Sequence, residues 1–429
     1  MTLPNIKLNK ESFLQGDSVV WMILLALCMI SIVEVYSASS RMTYGASVHF
    51  WRPVVEHASF IIVGLFITWV VHKMPCTSFK FLSVLGLMLS FILLTAVLFM
   101  GRVNGAARWL HIAGITIQPS EFAKLTLVGT VAMLLATFRD KKTGGASMLA
   151  FKWVAGLTAI VCLLIVGENF STAGIIFIVM LLMTWFAQGP KRWLLLIVVG
   201  ILLAGTTGYL TLKLVPQQTA EQISELPMLH RFSTWSKRIK KGSELPPDPK
   251  DYNIHDNVQV THARIAVATC NIVGKGPGQS VQRDFLPHAV SDFIYAIIIE
   301  EGGIEGGIFV MFMYLLLLYR AMRIAERCKN RFPAYLVMGL SLMLVVQAMV
   351  NMAVSVGAMP VTGQPLPLVS KGGTSTFITC AYIGMILSVS HTAKQLEQYT
   401  VATPAKGEAA EDAGAVAIGT DSDEEPTEV

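Results

Sequence analysis

Ten apolar runs of roughly bilayer length constrain this chain more than any other feature. A bilayer core takes about 20 predominantly apolar residues per helix. The runs are 19–36, 58–71 (extendable back to Val54), 81–100, 122–138, 148–166, 171–187, 193–215, 293–319, 334–356 and 377–390. The second and tenth are short, and Glu300, Glu301 and Glu305 interrupt the eighth. Across the 429 residues, 53% are hydrophobic and 14% charged, whereas soluble domains carry about a quarter charged. That little charge does not coat a soluble particle of this size, so lipid covers part of the surface. A string of soluble domains is excluded. The expected fold is an all-α integral membrane protein of about ten transmembrane helices.

The bias of basic residues orients the spans. Short cytoplasmic loops collect Lys and Arg. With the N-terminus inside, the inside segments hold seventeen Lys and Arg, against five (Arg41, Arg52, Arg102, Arg108 and Lys371) in the short outside segments. A crossing at the eighth run is needed to keep Arg320, Arg323, Arg327, Lys329 and Arg331 inside. Both termini are then cytoplasmic. The first run reads as an uncleaved anchor, since it is longer than a signal-peptide core, although Ser37-Ala38-Ser39 has the look of a cleavage site.

The chain divides into a cytoplasmic segment 1–18, a membrane domain 19–390 and a tail 391–429. Within the membrane domain, residues 216–291 form one long extracytoplasmic loop between helices 7 and 8. A loop this long is usually functional or carries short helices of its own. The tail holds two basic and nine acidic residues and few large apolar ones, a composition expected to stay disordered. The net charge of +5 is therefore a basic membrane body partly offset by an acidic cytoplasmic tail.

Several chemistries find no pattern here. The six cysteines show no CxxC spacing and the nine histidines no HExxH, so neither a disulfide framework nor a zinc site is read. No P-loop or GxGxxG opens a helix after a strand, and no nucleic-acid partner is indicated.

Ionisable residues at membrane depth are functional candidates. Asp292 stands where the long loop becomes the eighth span. It reads either as a helix N-cap or as a general base at the mouth of an outward cavity. Glu301 and Glu305 lie one turn apart beside Gly302/Gly306 and Gly303/Gly307, pairs that let helices approach closely. A structural polar network is the expected role of Glu300, Glu301 and Glu305. Upstream, Gly101-Arg-Val-Asn-Gly-Ala-Ala-Arg108-Trp109 precedes a helix opened by Gln118-Pro119-Ser120-Glu121-Phe-Ala-Lys124. Arg108 and Lys124 suit a phosphate-bearing ligand, while Glu121 is near enough to Lys124 to pair with it instead. Residues 359–375 (Met-Pro-Val-Thr362-Gly-Gln-Pro-Leu-Pro-Leu-Val-Ser370-Lys371-Gly-Gly-Thr-Ser375) have little helical propensity. They fit a dipping loop that lines a cavity, although composition by itself favours an ordinary external loop.

Together these strings resemble the SEDS family (shape, elongation, division and sporulation) over residues 18–392. Asn104-Gly-Ala-Ala-Arg-Trp, Gln118-Pro-Ser-Glu-Phe-Ala-Lys-Leu, Leu286-Pro, Asp292-Phe-Ile, Glu300-Glu301-Gly302 and the 360–375 string carry the resemblance. The Val-Asn-Gly-Ala form and the extra tail are more similar to the FtsW division branch than to the RodA elongation branch. The resemblance implies a peptidoglycan glycosyltransferase of the cytoplasmic (inner) membrane, active on its outer face. Its substrates would be lipid II and the growing glycan strand. Its partners would be membrane lipid, a class B penicillin-binding protein with a single span, and other division proteins.

Asp292 matches the family's essential aspartate. Arg108, Lys124, Glu121, Gln282, Ser370, Lys371 and Ser375 are candidates to bind lipid II and its diphosphate, with Glu300, Glu301 and Thr362 supporting. The metal requirement is open, with Mg or Mn the candidate cation. A lipid II flippase and a non-catalytic division scaffold are the rival functions. The chain departs from the family in three places. Pro287-His288-Ala289-Val290 replaces Pro-Glu-Ala-His, Glu168-Asn169-Phe170-Ser171-Thr172 replaces Pro-Asp-Phe-Gly-Thr, and Lys371 stands where an aromatic is common.

Overall fold

The apolar runs become a helical bundle in a computed structural model of the chain. Residues 14–39, 51–99, 110–112, 115–140, 144–167, 169–216, 219, 236, 258–286 and 291–402 are described. The membrane helices are α1 (Ser18–Ser39), α2 (Arg52–His72), α3 (Cys76–Phe99), α4 (Pro119–Thr137), α5 (Met148–Val166), α6 (Phe170–Phe186) and α7 (Lys191–Leu214). After a short loop helix α8 (Val258–Ala268) come α9 (Ile294–Arg327), α10 (Arg331–Ser355) and α11 (Gly373–Ala402). Among the described residues, nine of these are long and apolar enough to span a bilayer, and the 17-residue α6 is the shorter tenth. The chain is a multi-pass α-helical membrane protein, as its sequence leads one to expect.

Three details differ from the sequence reading. The second and tenth spans are not short: α2 begins at Arg52, where Pro53 suits a helix start, and α11 continues to Ala402 through polar residues assigned to the tail. A two-stranded hairpin, β1 (Leu110–Ile112) and β2 (Ile115–Ile117), precedes α4 as a small addition to the all-α fold. Arg108, the 101–109 string, most of the long loop and residues 403–429 lie outside the described residues.

The eighth span is not one helix. Gly303 in α9 has φ 71° and ψ −173°, far from helical values. Residues 271–276 enter the break and satisfy its backbone. Lys275 and Gly276 donate to the carbonyls of Glu300 and Glu301, while Ile304 and Glu305 donate to those of Asn271 and Ile272. No side chain fits there, since a Cβ on Gly303 would lie 2.1 Å from the Ile272 carbonyl oxygen. Beyond the break, residues 304–327 are roughly 36 Å long at 1.5 Å per residue, enough for a core of about 30 Å. The carboxylates that interrupt the run therefore need not sit at the bilayer centre.

The core is formed by α4 and α10, most of whose residues are buried. α2 lies along α11, where Gly384 allows close approach: a Cβ there would stand 2.8 Å from Val71 Cβ. α7 meets the body chiefly through α6 and is almost wholly exposed. At one end of the bundle Asp17 caps α1 and pairs with Arg320 of α9, and Lys394 donates to Gly16. The opposite end gathers the hairpin, α8, the start of α9 and the loop 357–372.

Candidate functional site

Asp292 lies just ahead of α9, half-buried. It does not cap the helix: Phe293 occupies the N-cap position and no side chain makes a cap bond. The Asp292 carboxylate instead accepts one hydrogen bond, 2.6 Å, from the hydroxyl of Ser291. The backbone of both residues is pinned. Asn351 Nδ2 of α10 donates to the Asp292 carbonyl at 2.9 Å, and Ser370 Oγ donates to the Ser291 carbonyl at 2.5 Å.

The loop 360–371 dips into the protein. Gln364, Leu366, Leu368, Val369 and Ser370 are buried, so it is not an ordinary external loop. Composition misses this because the loop's polar backbone is satisfied by other helices. Asn351 Nδ2 also donates to the Gln364 carbonyl (2.7 Å), Gln347 Nε2 to Pro365 (3.1 Å) and Ser31 Oγ to Val369 (2.7 Å). Tyr314 Oη bonds the Pro367 carbonyl. The Gln364 side chain reaches Thr172 Oγ1 at 2.8 Å and Asn169 Oδ1 at 3.5 Å. Asn169 itself caps α6, accepting from the Thr172 amide. A neutral Asn at this position thus serves as a helix cap and a loop contact.

Lys124 is fully buried on α4 and lies 2.7 Å from Glu121 and 2.6 Å from Gln347 Oε1. Gln347 and Asn351 stand one turn apart on α10, about 6 Å along its axis. Through the 364–365 peptide they tie the Lys124–Glu121 pair to the backbone of Asp292. Neither amide is among the residues the sequence singles out. The signal present in the sequence is a pair of polar residues four apart inside the apolar run 334–356.

Glu300 and Glu301 form a separate cluster. Glu300 accepts from Lys275 and Ser280 Oγ, both at 2.5 Å, and from the amides of Val281 and Gln282. Glu301 accepts from Ser37 Oγ and from the amides of Gly278 (2.9 Å) and Ser280 (3.2 Å), with Arg283 3.8 Å away. The two carboxylates clamp residues 275–283 onto the α9 break, the structural network expected of them. Glu305 is exposed beyond it.

The remaining candidates scatter. Gln282 Oε1 contacts His262 Nδ1 of α8 at 2.7 Å. Ser375 caps its own turn by donating to Gly372 (2.6 Å). Lys371 is partly exposed and pairs with Glu56 of α2 at 3.3 Å. Thr362 is half-buried on the dipping loop. Among the described residues, no three His, Cys, Asp or Glu side chains converge on a point that could hold a metal ion.

Comparison with known proteins adds the family. A model of the family FTSW_RODA_SPOVE, described as cell cycle protein, matches residues 17–395. A probable peptidoglycan glycosyltransferase FtsW of Halomonas elongata is 31% identical, over 94% of this chain and 96% of that protein. Its counterpart from Haemophilus influenzae is 30% identical over 91% and 95%. Among solved structures, a chain of a peptidoglycan synthase complex that coordinates polymerization and crosslinking superposes with TM-score 0.67 at 22% identity, covering 89% of this chain and 99% of that one. The rod shape determining protein RodA of Thermus thermophilus gives TM-score 0.58 at 22% identity, over 87% and 96%.

Proposed function

The chain belongs to the FTSW_RODA_SPOVE family of cell cycle proteins, and from that premise we propose that it is a peptidoglycan glycosyltransferase that polymerises lipid II during cell division. The observation that carries the chemistry is Asp292: one half-buried carboxylate, held by its backbone at the edge of a polar network at one end of a membrane bundle. The acceptor is the 4-hydroxyl of a GlcNAc, a weak nucleophile until a base takes its proton. Asp292 accepts that proton as the oxygen bonds to the donor's anomeric carbon. The bond from that carbon to the undecaprenyl diphosphate breaks, and the diphosphate leaves with the electron pair. An α-linked donor giving a β-1,4 product requires inversion, which single displacement provides without a covalent intermediate.

Cations stabilise the departing diphosphate. Lys371 is the accessible one among the described candidates, and Arg108 is its expected companion. Lys124 is shut from solvent and neutralised by Glu121, so we assign that pair, with Ser370, Ser375, Gln282 and Thr362, to shaping the site. Glu300 and Glu301 support it through the loop they clamp. A divalent cation such as Mg is commonly held by one or two carboxylates plus substrate phosphates. Held by the donor diphosphate, such an ion would add charge stabilisation at the leaving group and leave Asp292 to act as the base.

In the cytoplasmic membrane, the basic residues at the Arg320 and Lys394 end support an inside location for both termini and an outward-facing Asp292. The peptidoglycan synthase complex to which this chain is similar joins polymerization to crosslinking, which supports a transpeptidase partner of the class B penicillin-binding type. The test is purified protein given lipid II, alone and with that partner. Glycan polymer is expected; scrambling of lipid II without polymer would replace the proposal with a flippase.

A further inference from the structure

The helix α10 carries two amides, one turn apart, that bond to the backbone rather than to each other. Gln347 takes Lys124 Nζ on its oxygen and gives its amide to the Pro365 carbonyl. Asn351, 1% exposed, gives its amide to two carbonyls, Asp292 at 2.9 Å and Gln364 at 2.7 Å. The carbonyls of two consecutive loop residues, 364 and 365, are thus bonded to consecutive rungs of one helix face. The carbonyl ahead of α9 is bonded to the upper rung.

Among the described residues, the Asp292 carboxylate has no comparable side-chain support. Its carboxylate's hydrogen bond comes from Ser291, its sequence neighbour, and moves with it. Residues 291 and 292 precede the first turn of α9, so the ladder of that helix does not fix them. Where the carboxylate stands is decided by what holds the two carbonyls, and those partners are Ser370 and Asn351. Ser370 is itself part of the loop that Asn351 and Gln347 tie down.

Resting on the glycosyltransferase reading, we propose that Asn351 is a positioning residue: through the Asp292 carbonyl it sets the carboxylate at the distance and angle proton transfer requires. It touches neither substrate nor the reacting atoms. A group acting on geometry alone changes the rate of the chemical step and leaves substrate affinity in place. Misplacement by about 1 Å costs on the order of 10²-fold in rate.

The experiment compares wild type, Asp292→Asn, Asn351→Ala, Asn351→Leu and Ser341→Ala in the full-length protein with its transpeptidase partner, using lipid II. Asn351→Leu keeps close to the size, loses the donors and adds no charge. Ser341→Ala removes a buried hydroxyl of the same helix that bonds locally, to Met338, and should behave as wild type. Both Asn351 variants should lower kcat by about 10- to 100-fold at unchanged KM, read well below each variant's own thermal midpoint. If Asn351→Ala unfolds, the near-isosteric, uncharged Asn351→Leu decides. A kcat within twofold of wild type, or a rise in KM with kcat intact, overturns the proposal. Polymerisation by Asp292→Asn at the wild-type rate overturns the underlying base assignment instead, so the two failures are told apart.

Discussion

Lys124 and Glu121, one turn apart on α4, form an ion pair at 2.7 Å with both side chains closed to solvent. The spacing makes pairing foreseeable; the depth is not. A buried pair costs much to desolvate, and removing one partner leaves an uncompensated charge. The Gln347 oxygen relieves part of that cost by taking another Lys124 hydrogen bond.

Lys124→Met should therefore destabilise the protein by about 3–5 kcal/mol. The double variant Lys124→Met/Glu121→Gln should recover most of it, since no lone charge is then buried. Thermal midpoints of the purified protein in detergent, read as a double-mutant cycle, measure this. Additive losses would show that the two residues do not act as a pair.

The pair of Lys371 with Glu56 should behave differently. It is partly exposed, and such pairs are worth about 0–1 kcal/mol. Glu56→Ala should leave stability almost unchanged. Lys371→Ala should do the same while raising KM for lipid II severalfold, because an accessible cation is lost from the proposed diphosphate site. A Lys371→Ala enzyme with wild-type KM would remove Lys371 from that role.

Gly303→Ala tests the broken helix. The positive φ of Gly303, with the Ile272 carbonyl oxygen 2.1 Å from where a methyl would sit, leaves no room for a side chain. A strained backbone of this kind costs about 1–3 kcal/mol before the clash is counted. The segment 271–283 should detach from α9, and the amides of Lys275 and Gly276 should exchange hydrogen faster. Unchanged exchange would mean that the loop does not depend on the break.

These cases mark what is legible in the sequence. The spans are readable because lipid demands long apolar runs, whereas Asp292 is singled out by the family resemblance, since an acid at a span mouth reads by position equally well as a helix N-cap. The α9 break is hidden, since Gly302 and Gly303 look the same as packing glycines until the loop that fills the gap is seen. Glu300 and Glu301 are recognisable as network residues, but their partners at 275–283 are remote in sequence from α1, where Ser37 completes the cluster. Asn351 and Gln347 escape notice because polar residues within an apolar run acquire meaning only from the carbonyls they meet.

Removing residues 400–429 should leave polymerisation by the purified protein unchanged. The described part of α11 carries Lys394 at the Gly16 end of the bundle, away from Asp292, and no step of the proposed chemistry calls on the residues beyond it. Glycan yield from lipid II with the truncated chain checks this. Loss of polymer would give the tail a part in activity beyond tethering.

The central claim is that Asp292 takes the acceptor's proton. Its most direct measurement is glycan synthesis from lipid II by purified Asp292→Asn, confirmed folded by its thermal midpoint, beside wild type and with the transpeptidase partner present. General-base removal typically costs about 10²–10⁴-fold, so polymer should fall below detection in the variant while lipid II still binds. Polymer at the wild-type rate from Asp292→Asn would contradict the account.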